Sequence, residues 1–332
     1  MAAMLAVGLS AFAVAAGQPP HARAAAAPVR AAQEALLAGE YARARSLAEP
    51  LARQGDPAAH HLLGYLFEKG LGVRPDIGAA LRHYGDAAFA GEVDAQLALG
   101  ILAFEGRGVY PDYERAAGWF RLASAQGDSR ADVRLGDMYA QGIGVDRNPV
   151  AAANLFAKAA ARGDAEGAFR LGLAWLNGDG LPQSDAKAAE NFAAAAAKGH
   201  GPAAYHLGLL YDSAALGAPD AARAARLIAA AADVGYGPAF AAMGLIVHRG
   251  DAAGRAADWF EKGAQLGDPQ SALLFAVALS KGDGRARDLP RAQQIVETLL
   301  AAADTPAPVR AQAARLQASI AAQRAGRFTL RD

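Results

Sequence analysis

Few side chains in this sequence could do chemistry, and they are scattered. His60, His61 and His83, with Glu68 nearby, are metal-ligating types that a pair of adjacent helices could gather. Adjacent histidines on a helix point about 100° apart, however, and no paired ligand spacing recurs, so no metal site is expected. His200, His206 and His248 form a second loose group that reads as packing or surface residues. Gly-x-Gly elements stand at 70–72, 106–108, 142–144 and 178–180. They recur periodically and lack the third glycine of a dinucleotide fingerprint. Asp283, between Gly282 and Gly284, is a turn residue before it is a calcium ligand. No Ser–His–Asp order is persuasive. The chain has no cysteine, which excludes a thiol nucleophile, a thiolate zinc site and a disulfide scaffold. The expectation is a non-enzymatic protein without catalytic residues, metal or cofactor.

The elements that would position these groups follow a repeat. A glycine after a leucine or similar residue stands at Gly64, Gly100, Gly136, Gly172, Gly208 and Gly244, a spacing of 36 residues held five times. Such a period predicts an all-α solenoid of stacked helix pairs forming a curved superhelix. Twenty residues beyond each of the first five glycines lies a large apolar residue: Tyr84, Phe120, Phe156, Phe192 and Ile228. The shortened sixth unit keeps Phe260, and a degenerate seventh has Phe275–Ala276 at the marker. A glycine in mid-helix costs about 1 kcal/mol relative to alanine, so its return needs a packing reason. The predicted reason is a close helix crossing, with the large ring filling the space a Cβ would take. Glycines between the helices predict left-handed C-caps and tight bends. Asp76, Asp112, Asn148, Ser184 and Asp220 are placed to N-cap the second helices. The fifth loop replaces the glycine pair with Ala214 and Leu216, and the sixth is shortened between Gly250 and Gly254.

Thirty-three basic and thirty-three acidic residues cancel, and no helix face carries a basic stripe with aromatic interleaving, so nucleic acid is not an expected partner. Met4–Ala16 is an apolar run of the length of a signal-peptide core, although no lysine or arginine precedes it. Export to the bacterial periplasm or beyond is the expectation, with no stable membrane insertion after cleavage. An uncleaved anchor or a cytoplasmic location is the alternative. The predicted organisation is a signal peptide at 1–24, a linker and capping helices at 25–56, the solenoid at 57–304, and a C-terminal cap and tail at 305–332.

The unit A-x-x-x-L-G-x-x-Y-x-x-G-x-G-V…D-x-x-K-A-x-x-W-F-x-K-A-A-x-x-G resembles the Sel1-like repeat, a longer-looped relative of the tetratricopeptide repeat. Leu99–Gly100, Gly106-x-Gly108–Val109, Asp112, Ala116 and Trp119–Phe120 carry the likeness in the second unit. Leu135–Gly136, Tyr139, Gly142-x-Gly144–Val145 and Lys158–Ala159–Ala160 carry it in the third. The resemblance implies an adaptor that holds other proteins. It departs from the exported, disulfide-stapled members in having no cysteine.

If first helices line a concave binding face, as the resemblance implies, the residues three before, one after and four after each marker face a partner. The candidates are His61, Tyr65, Glu68, Leu97, Ile101, Phe104, Asp137, Phe169, Leu173, Tyr205 and His248. A peptide or protein segment bound there would be the partner. The alternatives are a structural spacer of an envelope assembly and, behind it, a cell-wall or antibiotic hydrolase built around the irregular fifth and sixth repeats.

Overall fold

A computed structural model describes residues 27–108, 110–249 and 253–328. The predicted signal peptide and the centre of the shortened sixth loop lie outside them. Among the described residues there are seventeen helices and no strand. They form two compact units, residues 27–191 and 192–328, and the helix α10 (Asp185–Ala196) runs across the division.

In the first unit α1 (Ala27–Leu37) and α2 (Tyr41–Arg53) make the capping pair. Then come the repeats α3 (Pro57–Lys69) with α4 (Ile77–Phe89), α5 (Val93–Glu105) with α6 (Tyr113–Ala125), and α7 (Ser129–Gln141) with α8 (Pro149–Ala161). The first helix of the next repeat is α9 (Ala165–Asn177). Each helix packs on the one before it, so the core is a row of interfaces filled by alanine, leucine and one large ring per repeat.

The second unit repeats the plan with α11 (Gly201–Asp212) and α12 (Ala221–Asp233), α13 (Gly237–Arg249) and α14 (Ala253–Gln265), and α15 (Pro269–Lys281) and α16 (Leu289–Ala301). The long α17 (Ala307–Phe328) closes it, with Val309, Ala313 and Ile320 buried in the terminal core. This helix runs to Phe328 and so takes in most of the predicted C-terminal cap and tail.

Local chemistry explains the helix ends. The side chains of Asp76, Asp112, Asn148 and Asp220 accept from the backbone N–H three residues on, as N-caps. Ser184 does the same at 3.4 Å. The first helices have their own caps, which the sequence reading did not single out: Asp56, Asp128, Asp164, the ring of His200, and Asp268. The long loops close on one backbone bond, from the N–H of the capping residue to a carbonyl late in the preceding helix. Asp76 reaches Phe67, Asp112 reaches Ala103, Asn148 reaches Tyr139, Ser184 reaches Trp175, Asp220 reaches Tyr211 and Asp288 reaches Leu279. The fifth loop keeps this bond although α11 ends at an extended Ser213 rather than a left-handed glycine.

The marker glycines meet the large residues as the spacing predicts. A Cβ on Gly64 would stand 2.6 Å from Tyr84 Cδ1, one on Gly136 2.5 Å from Phe156 Cε1, and one on Gly208 2.6 Å from Ile228 Cγ1. The second loop glycine has a use beyond a bend. In Gly72, Gly108 and Gly144 the missing Cβ would strike the start of the previous repeat's second helix, at Tyr41, Ile77 and Tyr113. These loops are therefore stacking surfaces between repeats.

Candidate protein-binding surface

The three rows of first-helix residues proposed from sequence separate by depth. The row three before the marker is inside. Leu97 and Phe169 are 7% and 8% exposed, and Val133 and Ala241 are also buried. Leu97 packs among Phe120, Ala131 and Leu135, which belong to its own repeat and the next. These side chains are core, and the accessible face is correspondingly narrower than the sequence reading drew it. His61 and Tyr205 share that row without being fully covered.

The two remaining rows lie at the surface. Tyr65, Ile101, Asp137 and Leu173 are half-buried in the first unit, with Glu68 and Phe104 one turn on. In the second unit Leu209 and Leu245 occupy the equivalent positions and are exposed. His248 is exposed beside Asp283, its Nε2 4.0 Å from the carboxylate. Tyr205 stacks edge-on against Tyr236 with ring centroids 5.3 Å apart. Burial raises the pKa of both phenols, so they stay protonated.

The acidic members of these rows, and Asp94 at the start of α5, are engaged by the following repeat. Glu68 accepts from Tyr84 Oη at 2.8 Å and pairs with Arg107 at 3.0 Å. Burial alone would raise Glu68, but hydrogen bonds from Lys69 and Tyr84 outweigh it and hold the carboxyl below its ordinary value. Asp137 pairs with Arg170 at 3.2 Å, and here burial wins and lifts the carboxyl above the ordinary range. Asp94 meets Arg130 at 2.5 Å, and Asp212 meets Arg249 at 2.8 Å. In each case an acid of one repeat is tied to an arginine of the next.

Beneath the surface, Asp128 and Asp132 are fully buried. Asp128 caps α7 through Ala131 N–H and receives the Arg130 guanidinium. Asp132 accepts from Ser124 Oγ, Lys158 Nζ and Arg162 Nη1. These clusters satisfy one another and clamp α6, α7 and α8 together.

The four metal-ligating groups, His60, His61, Glu68 and His83, do not come together at one point. His61 packs on the Tyr84 ring, centroids 5.7 Å apart, on the side of Glu68. Burial keeps its imidazole neutral to lower pH than usual. His60 and His83 meet each other instead, Nδ1 to Nδ1 3.0 Å.

The Sel1 repeat family model matches residues 57–88, 93–128, 129–164, 165–200 and 247–268. The chain belongs to the Sel1 repeat family. Sel1 repeat proteins are typically protein-interaction scaffolds, and the family is generally non-catalytic. The helix pairs α11/α12 and α15/α16 lie outside the matched segments. They keep the Sel1 build nonetheless, with Gly208 against Ile228, and with Asp268 and Gly282 as the caps of α15.

Among solved structures, a Sel1 repeat protein from Oxalobacter formigenes is 28% identical, with a TM-score of 0.66 over 72% of this chain and 97% of that one. A protective antigen of uropathogenic Escherichia coli with an SLR fold is 28% identical, with a TM-score of 0.47 over 77% of this chain and 64% of that one. An immunity protein from Pseudomonas aeruginosa is 20% identical, with a TM-score of 0.42 over 65% of this chain and 84% of that one. No curated protein matches the chain. Among the described residues no helix is long and apolar enough to cross a membrane.

Proposed function

We propose that the chain is a non-enzymatic adaptor that binds a segment of another protein along the first helices of its N-terminal unit. The observation that carries this reading is the division of labour in the surface rows. Acidic side chains there are consumed in pairing one repeat to the next, at Glu68–Arg107 and Asp137–Arg170. Tyr65, Ile101, Phe104 and Leu173 are left as half-buried apolar positions at the repeat period. A surface of that kind favours a partner segment with apolar anchors over a polyanion. With the hydrophilic groups already paired, base and nucleophile chemistry has little to draw on at this face. The bacterial envelope is the proposed site of action, on the apolar run Met4–Ala16.

The test is capture from envelope extracts on the chain from about residue 25, with partners identified by mass spectrometry. A second bait carries Tyr65→Ala, Ile101→Ala and Leu173→Ala, and helicity is compared by circular dichroism. A stoichiometric partner lost with the second bait, at unchanged helicity, supports the reading. Equal capture by both baits removes this surface, and no capture by either favours a structural spacer.

A further inference from the structure

The first repeat carries a separate cluster on α3 and α4 that includes neither Tyr65 nor Glu68. His60 projects from α3, and His83 and Asp86 project from α4 one turn apart. His60 Nδ1 lies 3.0 Å from His83 Nδ1 and 3.4 Å from Asp86 Oδ2. One ligand atom from each of the three falls within 4.8 Å of the others. We propose that His60, His83 and Asp86 form a binding site for a divalent transition-metal ion of the zinc class, clamping α3 to α4.

The spacing suits that chemistry. Zinc binds imidazole nitrogen and carboxylate oxygen at about 2.0–2.2 Å, so neighbouring ligand atoms of a tetrahedral site stand about 3.3 Å apart. The two distances from His60 bracket that value, and the third edge lies within 4.8 Å, so small side-chain adjustments would seat an ion. Two imidazoles and one carboxylate are a zinc-type donor set. Calcium and magnesium, which prefer all-oxygen shells, would be poorly served. Three protein ligands leave a fourth position to water, and Asp86, 63% exposed at its side chain, keeps the site open to solvent.

The surroundings hold the ligands in place. The His83 ring lies parallel to Phe67, with centroids 5.6 Å apart and planes inclined by 8°, which fixes its orientation. The site opens on a groove lined by Glu49, Ala52, Arg53, Leu63 and Phe67. Glu49 and Asp86 favour a cation there, and Arg53 and Arg82 oppose it. Glu49 is already held by Arg45 at 2.6 Å, so the three-residue set is the complete proposal. Without an ion, the short contact between the two rings requires one Nδ1–H to donate to the other Nδ1. Ion binding moves that proton to Nε2, so that both Nδ1 lone pairs face the metal. Both Nε2 positions then carry hydrogen.

The protein-binding reading plays no part here, because none of the three ligands belongs to the rows assigned to that surface. The test is calorimetric titration of the full chain, free of any affinity tag, with Zn2+ alone, alongside the shift in melting temperature in Zn2+ and in Mg2+. The expected result is one equivalent bound, a melting temperature raised by Zn2+ and not by Mg2+, and affinity reduced at least about tenfold in His60→Gln and in His83→Gln. His248→Gln, at an exposed histidine elsewhere, should bind as the parent does. No saturable single equivalent in the parent, or unchanged affinity in both His60→Gln and His83→Gln, would overturn the site. Should those variants fail to fold, modification of the parent by diethyl pyrocarbonate decides. Protection of His60 and His83 by Zn2+, with His248 still labelled, supports the site. Equal labelling with and without Zn2+ refutes it.

Discussion

Gly64 and the ring of Tyr84 compete for the same space: a Cβ on Gly64 would stand 2.6 Å from Tyr84 Cδ1. Tyr84 is 1% exposed and its hydroxyl is committed to Glu68, so the ring has little freedom to retreat. Gly64→Ala should therefore destabilise the chain by about 1–3 kcal/mol, despite alanine's better helix propensity. Denaturant unfolding should show a lower midpoint, and pairing the change with Tyr84→Leu should recover part of the loss.

Two other helical glycines have no such neighbour. Nothing lies within 4 Å of a Cβ built on Gly85 in α4 or Gly118 in α6. Gly85→Ala and Gly118→Ala should each stabilise by about 0.5–1 kcal/mol, through helix propensity and a less flexible unfolded chain. A raised melting temperature in both, against the fall at Gly64, separates packing glycines from incidental ones.

Buried and exposed ion pairs should differ in weight. Asp132 is fully buried and receives Ser124, Lys158 and Arg162, so Asp132→Ala strands three donors and opens the α6–α7–α8 clamp. A loss of about 2–4 kcal/mol is expected. Arg107, whose side chain is 43% exposed, pairs with Glu68 near solvent, and Arg107→Ala should cost less than about 1 kcal/mol. Urea midpoints of the two variants check the order.

Stability should fall on acidification in two steps. The His61 imidazole has its folded pKa lowered by burial from an ordinary 6.5, so the unfolded chain takes up the proton first. Its contribution is intact above about pH 6.5 and is lost as pH falls from there towards the lower folded value. Asp94 and Glu68 favour the charged ring and Arg130 opposes it, without reversing the direction. Glu68 acts lower down. Its folded pKa lies below the ordinary 4.5, so its contribution is present above that value and is lost as pH falls through the folded one. Melting temperatures between pH 7.5 and 3 should drop, and His61→Phe should make the upper part of the curve shallower, where His83 and His206 also contribute, while leaving the lower part.

Apolar substitutions at the surface rows should be tolerated better than those beneath them. Leu97 is 7% exposed and packed among Phe120, Ala131 and Leu135, so Leu97→Ala should cost about 2–4 kcal/mol. Tyr65, only half-buried one turn along the preceding repeat's first helix, should lose much less as Tyr65→Ala. If the melting temperatures reverse that order, the surface assigned to Tyr65 is core.

What the sequence determined by itself was local and periodic. The 36-residue return of glycine and a large residue set the helix pairs and their crossing. Asp76, Asp112, Asn148 and Asp220 marked the starts of second helices, because a cap needs only a short oxygen-bearing side chain at the right offset. Tertiary structure decided which side chains are covered. Leu97 and Ile101 lie four apart on α5 and look alike in sequence, yet one is core and the other half-exposed. The difference comes from the neighbouring repeat, whose helices sit tens of residues away in the chain. The same distance hid the pairing of Glu68 with Arg107 and of Asp94 with Arg130, and the pressing of Gly108 against Ile77. It also hid which of two adjacent histidines meets His83. Periodicity fixes the direction of a side chain from its own helix, but what it meets depends on the helices stacked around it.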